Sequence, residues 1–368
     1  MKNSITNRQF FFIIIISSAG FSTTALPRIM LGAGTGAWFV MILGAVFFCL
    51  NIFIITYLGN KYKGMTLFEY SQVIIGKKAA YLFGGIYALY FLILLAFIIR
   101  TSADVIKSEI LYKTPILATI ILVIIISLYA ASKGLTKVGR ILEFLGTIIL
   151  IIGVLLYSIT FSHSHIMNIM PLFELSEMNA YLEALPFTIY AFLGFEIITC
   201  VAFTNSNGTK SIKTSIGAIV FFCLFNILTL ESCYGLLGID DIANYDYPLI
   251  AAIRRLDIHS LQFAKRLDLF FIIIWLLTIF CSTTLLLFAV KEYASKLAPR
   301  IPTNILWPLI SIAACLIGLS IPSAEEAERY FIQFVVHIGL IPAFVIPLLL
   351  FTIHLYKNRS RKHRVTMG

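Results

Sequence analysis

Ten apolar stretches follow one another along the chain, separated by short polar or charged connections. A membrane-spanning helix needs about 20 predominantly apolar residues, because the hydrocarbon core is about 30 Å thick and each helical residue rises about 1.5 Å. The pattern therefore predicts an all-α integral membrane protein with ten transmembrane helices, called spans 1 to 10 below. These spans lie at 8–31, 36–59, 79–101, 114–132, 138–161, 184–203, 212–238, 267–290, 303–321 and 331–356.

Span 1 is interrupted at residues 17–28, which read "SSAGFSTTALPR". Small, hydroxylated and helix-breaking residues are tolerated at membrane depth only where protein or a water-filled cavity surrounds them. One interpretation is a kinked helix whose hydroxyls bond to the preceding turn. The other is a discontinuous helix with a ligand at its break. The residues concerned are Gly20, Ser22, Thr23, Thr24 and Pro27.

Ten spans divide into five plus five, and an odd number per half inserts the second half with inverted topology. We expect one polytopic domain over 1–368, with inverted repeats at about 8–161 and 184–356. Span 6, "ALPFTIYAFLGFEIITCVAF", is then the counterpart of span 1, and it also has a Pro near one end and an interior Gly. Interrupted helices at corresponding positions predict a LeuT-type fold with discontinuous helices 1 and 6 around a central site.

The Lys and Arg residues predict the orientation of the chain, because they accumulate in cytoplasmic loops. With the N-terminus inside, 19 of the 28 Lys and Arg residues lie on the inner side, so both termini are predicted to be cytoplasmic. The predicted outer loop at 162–183 has no Lys or Arg. A short helix is expected on the inner surface near 60–78. In the outer loop, the segment after Pro248 has the pattern of an amphipathic helix that could cap a cavity, and a plain connector is the alternative.

Composition agrees with this class and excludes others. Only 12% of residues are charged, against about 25% in a soluble domain. The net charge of +10 reflects the basic inner loops facing an anionic leaflet, so no nucleic-acid partner is expected. The six cysteines lie inside predicted spans without a C-x-x-C spacing, which favours buried thiols over disulfides or metal ligands.

Enzyme signatures are missing from the sequence. There is no nucleotide-binding glycine pattern, no H-E-x-x-H and no nucleophile with an obvious base, so no enzymatic activity and no cofactor are expected. His163, His165 and Glu174 have no established metal-ligand spacing, and no metal site is predicted.

Among the ionisable residues, Glu196 stands alone at mid-depth in span 6, directly after "AFLGF". A carboxylate there is costly and usually faces a cavity or a partner. One interpretation is a protonated acid bonded to a neighbouring helix, and the other is a proton carrier or the counter-charge of a cationic ligand. Arg100 and Asp104, four residues apart near the end of span 3, are expected to pair, as are Arg140 and Glu143.

A break in span 1 would complement Glu196. The backbone N–H groups near Thr23, Thr24 and Ala25 would carry the positive end of a helix dipole, which suits a carboxylate. A carboxylate at span 1 and an amine near span 6 describe a free amino acid. The predicted ligand-binding residues are Gly20, Ser22, Thr23, Thr24, Phe192, Gly194 and Glu196.

Span 8 contains "CSTT" at 281–284. Its hydroxyls could form a cation site facing span 1, although Ser and Thr in membrane helices often bond their own backbone. The candidate cation-site residues are Ser282, Thr283 and Thr284. "SAEE" at 323–326 has the pattern of a helix N-cap before span 10.

Two resemblances to known families accompany these features. "YAFLGFEIIT" resembles the sixth-helix signature of the amino acid, polyamine and organocation permeases, whose fold is the LeuT-type inverted repeat. Across nearly the whole chain the sequence resembles the B subunits of bacterial spore germinant receptors, the endospore germination permease family. The segments that carry this second resemblance are "ITNRQFFFIII", Pro27, "LGAGTGAW", "IIRTSADVIKSEILYKTP", "GLTKVGRILEF" and "RLDLFFIIIWL". The span 1 motif "SSAGFS" departs from the tighter glycine-rich form common in transporters.

The second resemblance implies a multi-pass subunit in the inner membrane of a dormant spore. Such a subunit senses a nutrient, expected to be an amino acid, triggers germination and works with A and C partner subunits. The alternative is a proton-coupled amino acid permease, which would use the same site between helices 1 and 6. A receptor changes state on binding, whereas a transporter moves its solute.

Overall fold

The computed structural model describes residues 5–204, 210–256 and 267–366, except for the side chains of Ser22, Thr23, Ala324 and residues 359–366. Within these ranges the regular structure is helical. The α-helices are α1 (Asn7–Ile29), α2 (Ala37–Lys61), α3 (Leu67–Ile75), α4 (Lys77–Glu109), α5 (Ile116–Ser132), α6 (Leu135–Ser162), α7 (Met178–Ala184), α8 (Thr188–Phe192), α9 (Lys210–Leu237), α10 (Ile239–Ile242), α11 (Pro248–Arg254), α12 (Leu267–Leu297), α13 (Thr303–Leu319), α14 (Ala324–Phe334) and α15 (Ile346–Thr366).

The predicted spans correspond to helical segments of the structure. Six described helical stretches are long and apolar enough to cross a membrane, and α5 and α13 are shorter apolar helices. Span 1 corresponds to α1, and span 6 corresponds to α8 together with a short 3-10 helix. The predicted surface helices are present as α3 and α11, and span 10 comprises α14, two π-helical turns and α15.

Local signals explain where several helices begin. Thr6 and Gln9 form a reciprocal capping box at the start of α1, with both hydrogen bonds 3.2 Å long. Ser323 accepts a hydrogen bond from the Glu326 backbone N–H at 3.2 Å, which confirms the N-cap predicted from "SAEE". Each cap satisfies a backbone N–H that lacks an intrahelical partner.

Helix α1 lies in the core and packs against α6, α8, α9, α11 and α12. Its apolar residues are buried around most of its circumference, including Phe10, Ile13, Ile15 and Leu26, each 0% exposed. A helix that is apolar on all sides is typical of this central position.

The charged pairs at the helix ends were partly predictable. Arg100 Nε contacts Asp104 at 2.9 Å, as expected from their spacing of four residues. Glu143 contacts Arg8 Nε at 3.1 Å, so its observed ion pair joins α6 to the start of α1 instead of following the expected local spacing to Arg140.

Span 1 is not interrupted as predicted, because α1 is one continuous helix from Asn7 to Ile29. The Ser17 hydroxyl donates to the Ile14 carbonyl at 2.9 Å, which is the back-bonded alternative considered for this stretch. Pro27 falls in the last turn, and the irregular segment comes after it, at Met30–Gly36. The backbone N–H groups near Thr23, Thr24 and Ala25 belong to a continuous helix, so no helix start faces a ligand there.

The predicted interruption of span 6 is present. Helix α8 ends at Phe192, Gly194 adopts a left-handed conformation with φ 100°, and a 3-10 helix covers Phe195–Cys200. A Cβ added to Gly194 would lie 2.9 Å from the Ser17 carbonyl carbon, so only glycine allows this approach to α1. The Ser18 hydroxyl donates to the Phe192 carbonyl at 3.1 Å and satisfies a backbone acceptor that the break frees.

We expect Gly194→Ala to lower the stability of the folded chain by about 2 kcal/mol or more, because it combines a left-handed backbone with a collision against α1. Gly85→Ala is the matched control, since Gly85 lies within α4 and an added Cβ would meet nothing within 4 Å. Thermal unfolding of the purified variants measures both effects. Equal midpoints for the two variants would show that the close approach at Gly194 is dispensable.

Candidate ligand-binding site

A cavity of about 270 Å³ lies between α1, α4, α8, α12 and α14 and extends to the segment that precedes α11. Helix α1 contributes one wall, and Tyr190 of α8 and Trp275 of α12 contribute others. The cavity therefore lies where the broken span meets the central helix. Its α1 residues are Gly20, Phe21, Thr24, Ala25 and Arg28.

Phe21 and Phe97 form the aromatic part of the cavity lining, and together with Phe331, which packs on both rings, they form an aromatic cluster. The Phe21 ring stacks with Phe97 and Phe331 at centroid distances of 6.4 and 5.9 Å. Phe97 and Phe331 stack on each other at 3.4 Å, which joins α4 to α14. An added Cβ at Gly194 would be 3.5 Å from the Phe21 ring, so Phe21 separates the cavity from the break in span 6.

Charged groups line the opposite part of the cavity. Arg28 Nη1 lies 3.3 Å from Asp246 Oδ1 and 3.8 Å from Glu328 Oε2. Glu325 is a third carboxylate on the lining. Three carboxylates around one guanidinium give this region an excess of negative charge while still offering a cation. It can therefore contact groups of either charge.

Trp275 adds an uncharged donor to the cavity. Its side chain is 4% exposed, and its indole Nε1 has no hydrogen-bond partner among the described residues. A buried indole N–H normally finds an acceptor. Thr101, which also lines the cavity, donates back to the Phe97 carbonyl at 3.0 Å. Trp275 is therefore a donor that a ligand could use without breaking a hydrogen bond to a described residue.

The structure brings part of the predicted ligand set to this cavity. Gly20 and Thr24 line it, whereas the side chains of Ser22 and Thr23 lie outside the described part of the chain. Phe192 is fully buried instead and stacks on Phe48 with a centroid distance of 4.7 Å. It lies beside the break and is not part of the cavity lining.

Glu196 also lies at the break and does not line the cavity. It is 0% exposed, and its Oε2 accepts a hydrogen bond from the Gly194 backbone N–H at 2.9 Å. Its Oε1 and the nearby Tyr90 hydroxyl are both buried without a hydrogen-bond partner among the described residues. Glu196 thus stabilises the backbone of the break with one oxygen, and its other oxygen has no bonded partner in the described part of the chain.

The three hydroxyls of the candidate cation site make different contacts. Ser282 donates to the Ile16 carbonyl of α1 at 2.6 Å, so it faces span 1 as predicted. Thr284 donates to the Phe280 carbonyl of its own helix at 2.7 Å, which is the alternative interpretation. The Thr283 hydroxyl is buried without a partner among the described residues. The described residues also contain no cluster of three His, Cys, Asp or Glu side chains able to hold a metal ion.

Sequence reasoning missed the residues at the charged end of the cavity. Arg28 and Glu328 are 300 positions apart in the sequence, and Trp275 lies in the segment "RLDLFFIIIWL", which carries the family resemblance but predicts no ligand contact. Arg28 is a charged residue directly after Pro27 at the end of an apolar span, and that position was the one local signal for it. The convergence of these three residues depends on tertiary packing.

The fold is similar to that of a known transporter. Mhp1, a nucleobase-cation-symport-1 family transporter solved in a closed conformation with bromovinylhydantoin bound, matches with a TM-score of 0.64 and 12% sequence identity. The match covers 94% of this chain and 77% of that chain. It shows a LeuT-like fold for this multi-pass membrane protein and carries no information about the ligand.

Sequence comparisons place the chain more narrowly. The profile of a family described as spore germination protein matches residues 4–327. The spore germination proteins YndE and KB of Bacillus subtilis (strain 168) are 26% and 25% identical over 368 residues. These matches cover 98% of this chain in both cases, and 99% and 97% of the relatives. Family and fold are those of germination proteins and transporters and not those of enzymes. The chain belongs to the spore germination protein family.

Proposed function

We propose that this chain is the nutrient-sensing membrane subunit of a spore germinant receptor and that it binds a small zwitterion, an amino acid in the first instance. The observation that supports the proposal is the cavity in which Arg28 lies between the carboxylates of Asp246 and Glu328, next to the aromatic cluster. An amino acid carries both charges on one carbon, and this cavity offers a counter-charge for each.

The size and polarity of the cavity favour a small ligand. Its volume of about 270 Å³ is slightly below the usual range of small-molecule pockets, about 300–1,000 Å³. In the proposed pose the ligand carboxylate contacts Arg28 and the Trp275 N–H, and the ammonium contacts Glu328. The ligand side chain then faces Phe21 and Tyr190. Gly20 and Thr24 form the α1 wall.

Binding in this pose would act on the break in span 6. A ligand that contacts Arg28 and Glu328 links α1 to α14, and the stacked rings of Phe21, Phe97 and Phe331 connect these helices to α4. Directly beneath Phe21, Gly194 packs on α1. We include Phe192, Gly194 and Glu196 in the proposed site as the residues whose conformation responds to the ligand. Glu196 stabilises the backbone conformation of the break through its hydrogen bond with Gly194.

A proton-coupled amino acid permease is the second candidate function. It is favoured by the resemblance of the fold to a transporter and by the fully buried Glu196, whose Oε1 has no bonded partner among the described residues. In this alternative Glu196 would carry the proton. The candidate cation site at Ser282, Thr283 and Thr284 would lie against α1 in either case.

The cellular setting is part of the same proposal. We place the chain in the inner membrane of the spore, with both termini cytoplasmic, because most Lys and Arg residues lie on that side of the predicted topology. Its relatives include spore germination proteins KB and B2, and by this similarity we propose A and C subunits as partners. The two repeats would extend over about 8–161 and 184–356 of a single domain.

We expect free amino acids, and not their blocked derivatives, to stabilise the purified chain. At a concentration 100 times Kd, a ligand that binds the folded state alone raises the unfolding free energy by about 2.7 kcal/mol. N-acetylation or C-terminal amidation of the best amino acid should weaken its affinity at least about tenfold, because each removes one charge. Thermal unfolding across the amino acids and these derivatives measures the effect.

The same preparation separates receptor from permease. Reconstituted alone in vesicles, a receptor subunit binds the amino acid without uptake, whereas a permease accumulates it when a proton gradient is imposed. Stabilisation by blocked and free forms alike would contradict the zwitterion site, and uptake would contradict the receptor assignment while retaining the site.

We expect Glu328→Gln to weaken amino acid binding about tenfold or more, since a hydrogen bond to a charged group contributes about 1.5–3 kcal/mol. Glu326→Gln is the matched control, because Glu326 is on the same helix, lies 3.9 Å from Arg329 and does not line the cavity. Calorimetric titration measures both affinities. For the Glu328→Gln variant, N-acetylation of the ligand should reduce the affinity only slightly further. A further reduction as large as the one in the wild type would mean that the ammonium binds elsewhere.

We expect Glu196→Gln to keep the concentration for half-maximal response within about threefold of wild type, because the amide oxygen can still accept from the Gly194 N–H. Glu196→Ala should lower the unfolding free energy by about 1–3 kcal/mol, since it leaves that buried N–H unsatisfied. The measurements are germination response at matched protein level and thermal unfolding. If the Glu196→Gln variant gives no germination response while its unfolding midpoint is unchanged, the result favours the proton-carrier role.

A further inference from the structure

A second cavity, lined by none of the residues of the ligand site, opens between α4, α5 and α12. It measures about 730 Å³. Its lining is apolar apart from three hydroxyl residues, Thr114, Thr119 and Ser127. Leu122 and Ile126 on its rim are 57% and 50% exposed, so this groove faces the surroundings of the membrane helices and not the interior of the bundle.

Thr119 is the polar group that the groove leaves unexplained. It is 3% exposed, and its hydroxyl has no hydrogen-bond partner among the described residues. A threonine in a membrane helix usually donates to the carbonyl four residues earlier, as Thr147 does to Glu143 at 2.6 Å on α6. A buried hydroxyl without an acceptor is costly in an apolar environment. The groove therefore has a buried hydrogen-bond donor, Thr119, to offer to an occupant.

The position of Thr119 indicates what the acceptor is. It is the fourth residue of α5 and lies about 4.5 Å from the start of the helix, just inside the turn that contains the exposed Lys113. In the predicted topology this is the edge of the hydrocarbon core, next to the interfacial region that contains the ester carbonyls of membrane lipids. From Thr119 to Ser127 the groove continues for about 12 Å towards the membrane centre.

We propose that this groove binds one acyl chain of a diacyl membrane lipid, with the ester carbonyl accepting a hydrogen bond from Thr119. The chain would lie along Leu122, Val123 and Ile126 of α5 and against Phe280 of α12. A transmembrane helix of a partner protein fits less well, because its backbone carbonyls are bonded within the helix and leave no free acceptor for the Thr119 hydroxyl.

Lipid retention by the purified full chain tests the proposal. The probes are dioleoyl phosphatidylglycerol and its diether analogue, which lacks the ester carbonyls. By native mass spectrometry we expect the wild type to hold the ester lipid about fivefold more tightly, which corresponds to the net contribution of about 1 kcal/mol from one hydrogen bond. Thr119→Val should abolish this preference, and Thr147→Val, whose hydroxyl is bonded on its own helix, should retain it.

A second pair of variants tests the groove itself. Ala118→Phe places a ring in the groove and should reduce retention of both lipids severalfold, whereas Ile125→Phe, on a lipid-facing position of α5 outside the groove, should not. A photoreactive group in the middle of the oleoyl chain should label α5 or α12 residues of the groove. Equal affinity of the wild type for both lipids, or crosslinks from position 118 to a partner protein in an assembled complex, would overturn the proposal.

Discussion

Inside a bilayer no water is available to form hydrogen bonds with backbone N–H and C=O groups, so the protein itself must supply their partners. The break at Leu193 and Gly194 leaves such groups without helical partners next to the central helix α1. Three contacts meet this requirement. The Ser18 hydroxyl bonds the Phe192 carbonyl, Glu196 bonds the Gly194 N–H, and the absence of a side chain at Gly194 lets α1 approach. Because two of these contacts involve α1, that helix has to run straight past the break.

At Gly20, α1 is packed against α12 and α4 as closely as it is packed against the break. An added Cβ at Gly20 would lie 2.6 Å from Ser282 Cβ and 2.8 Å from Ile98, so α12 and α4 also pack against backbone here. Ser282 bonds the Ile16 carbonyl, one turn before Gly20. With α1 clamped between the break and α12, the next turn holds Phe21 and Thr24 in the wall of the cavity. The contacts that satisfy the backbone and those that shape the site are thus adjacent.

Most of the helical framework could be predicted from the sequence, because span length follows from bilayer thickness and each span is locally encoded. Gly194 was predictable as well, since an interior glycine before a buried acid is a local pattern. The continuity of α1 was not. Ser17 and Ser18 suit a break and a back-bonded helix equally, and the choice depends on Phe192 and Gly194, far away in the sequence. The same distance in sequence separates Arg28 from Glu328.

The position of Trp275 has an optical consequence. The chain has three tryptophans, and Trp38 is engaged at the Leu172 carbonyl at 2.8 Å, whereas Trp275 lines the cavity with its indole N–H unbonded among the described residues. Indole emission depends on the polarity and hydrogen bonding around the ring. The occupied and empty states of the cavity should therefore differ in the intrinsic fluorescence of the unlabelled protein, and the molecule carries its own spectroscopic reporter at the site.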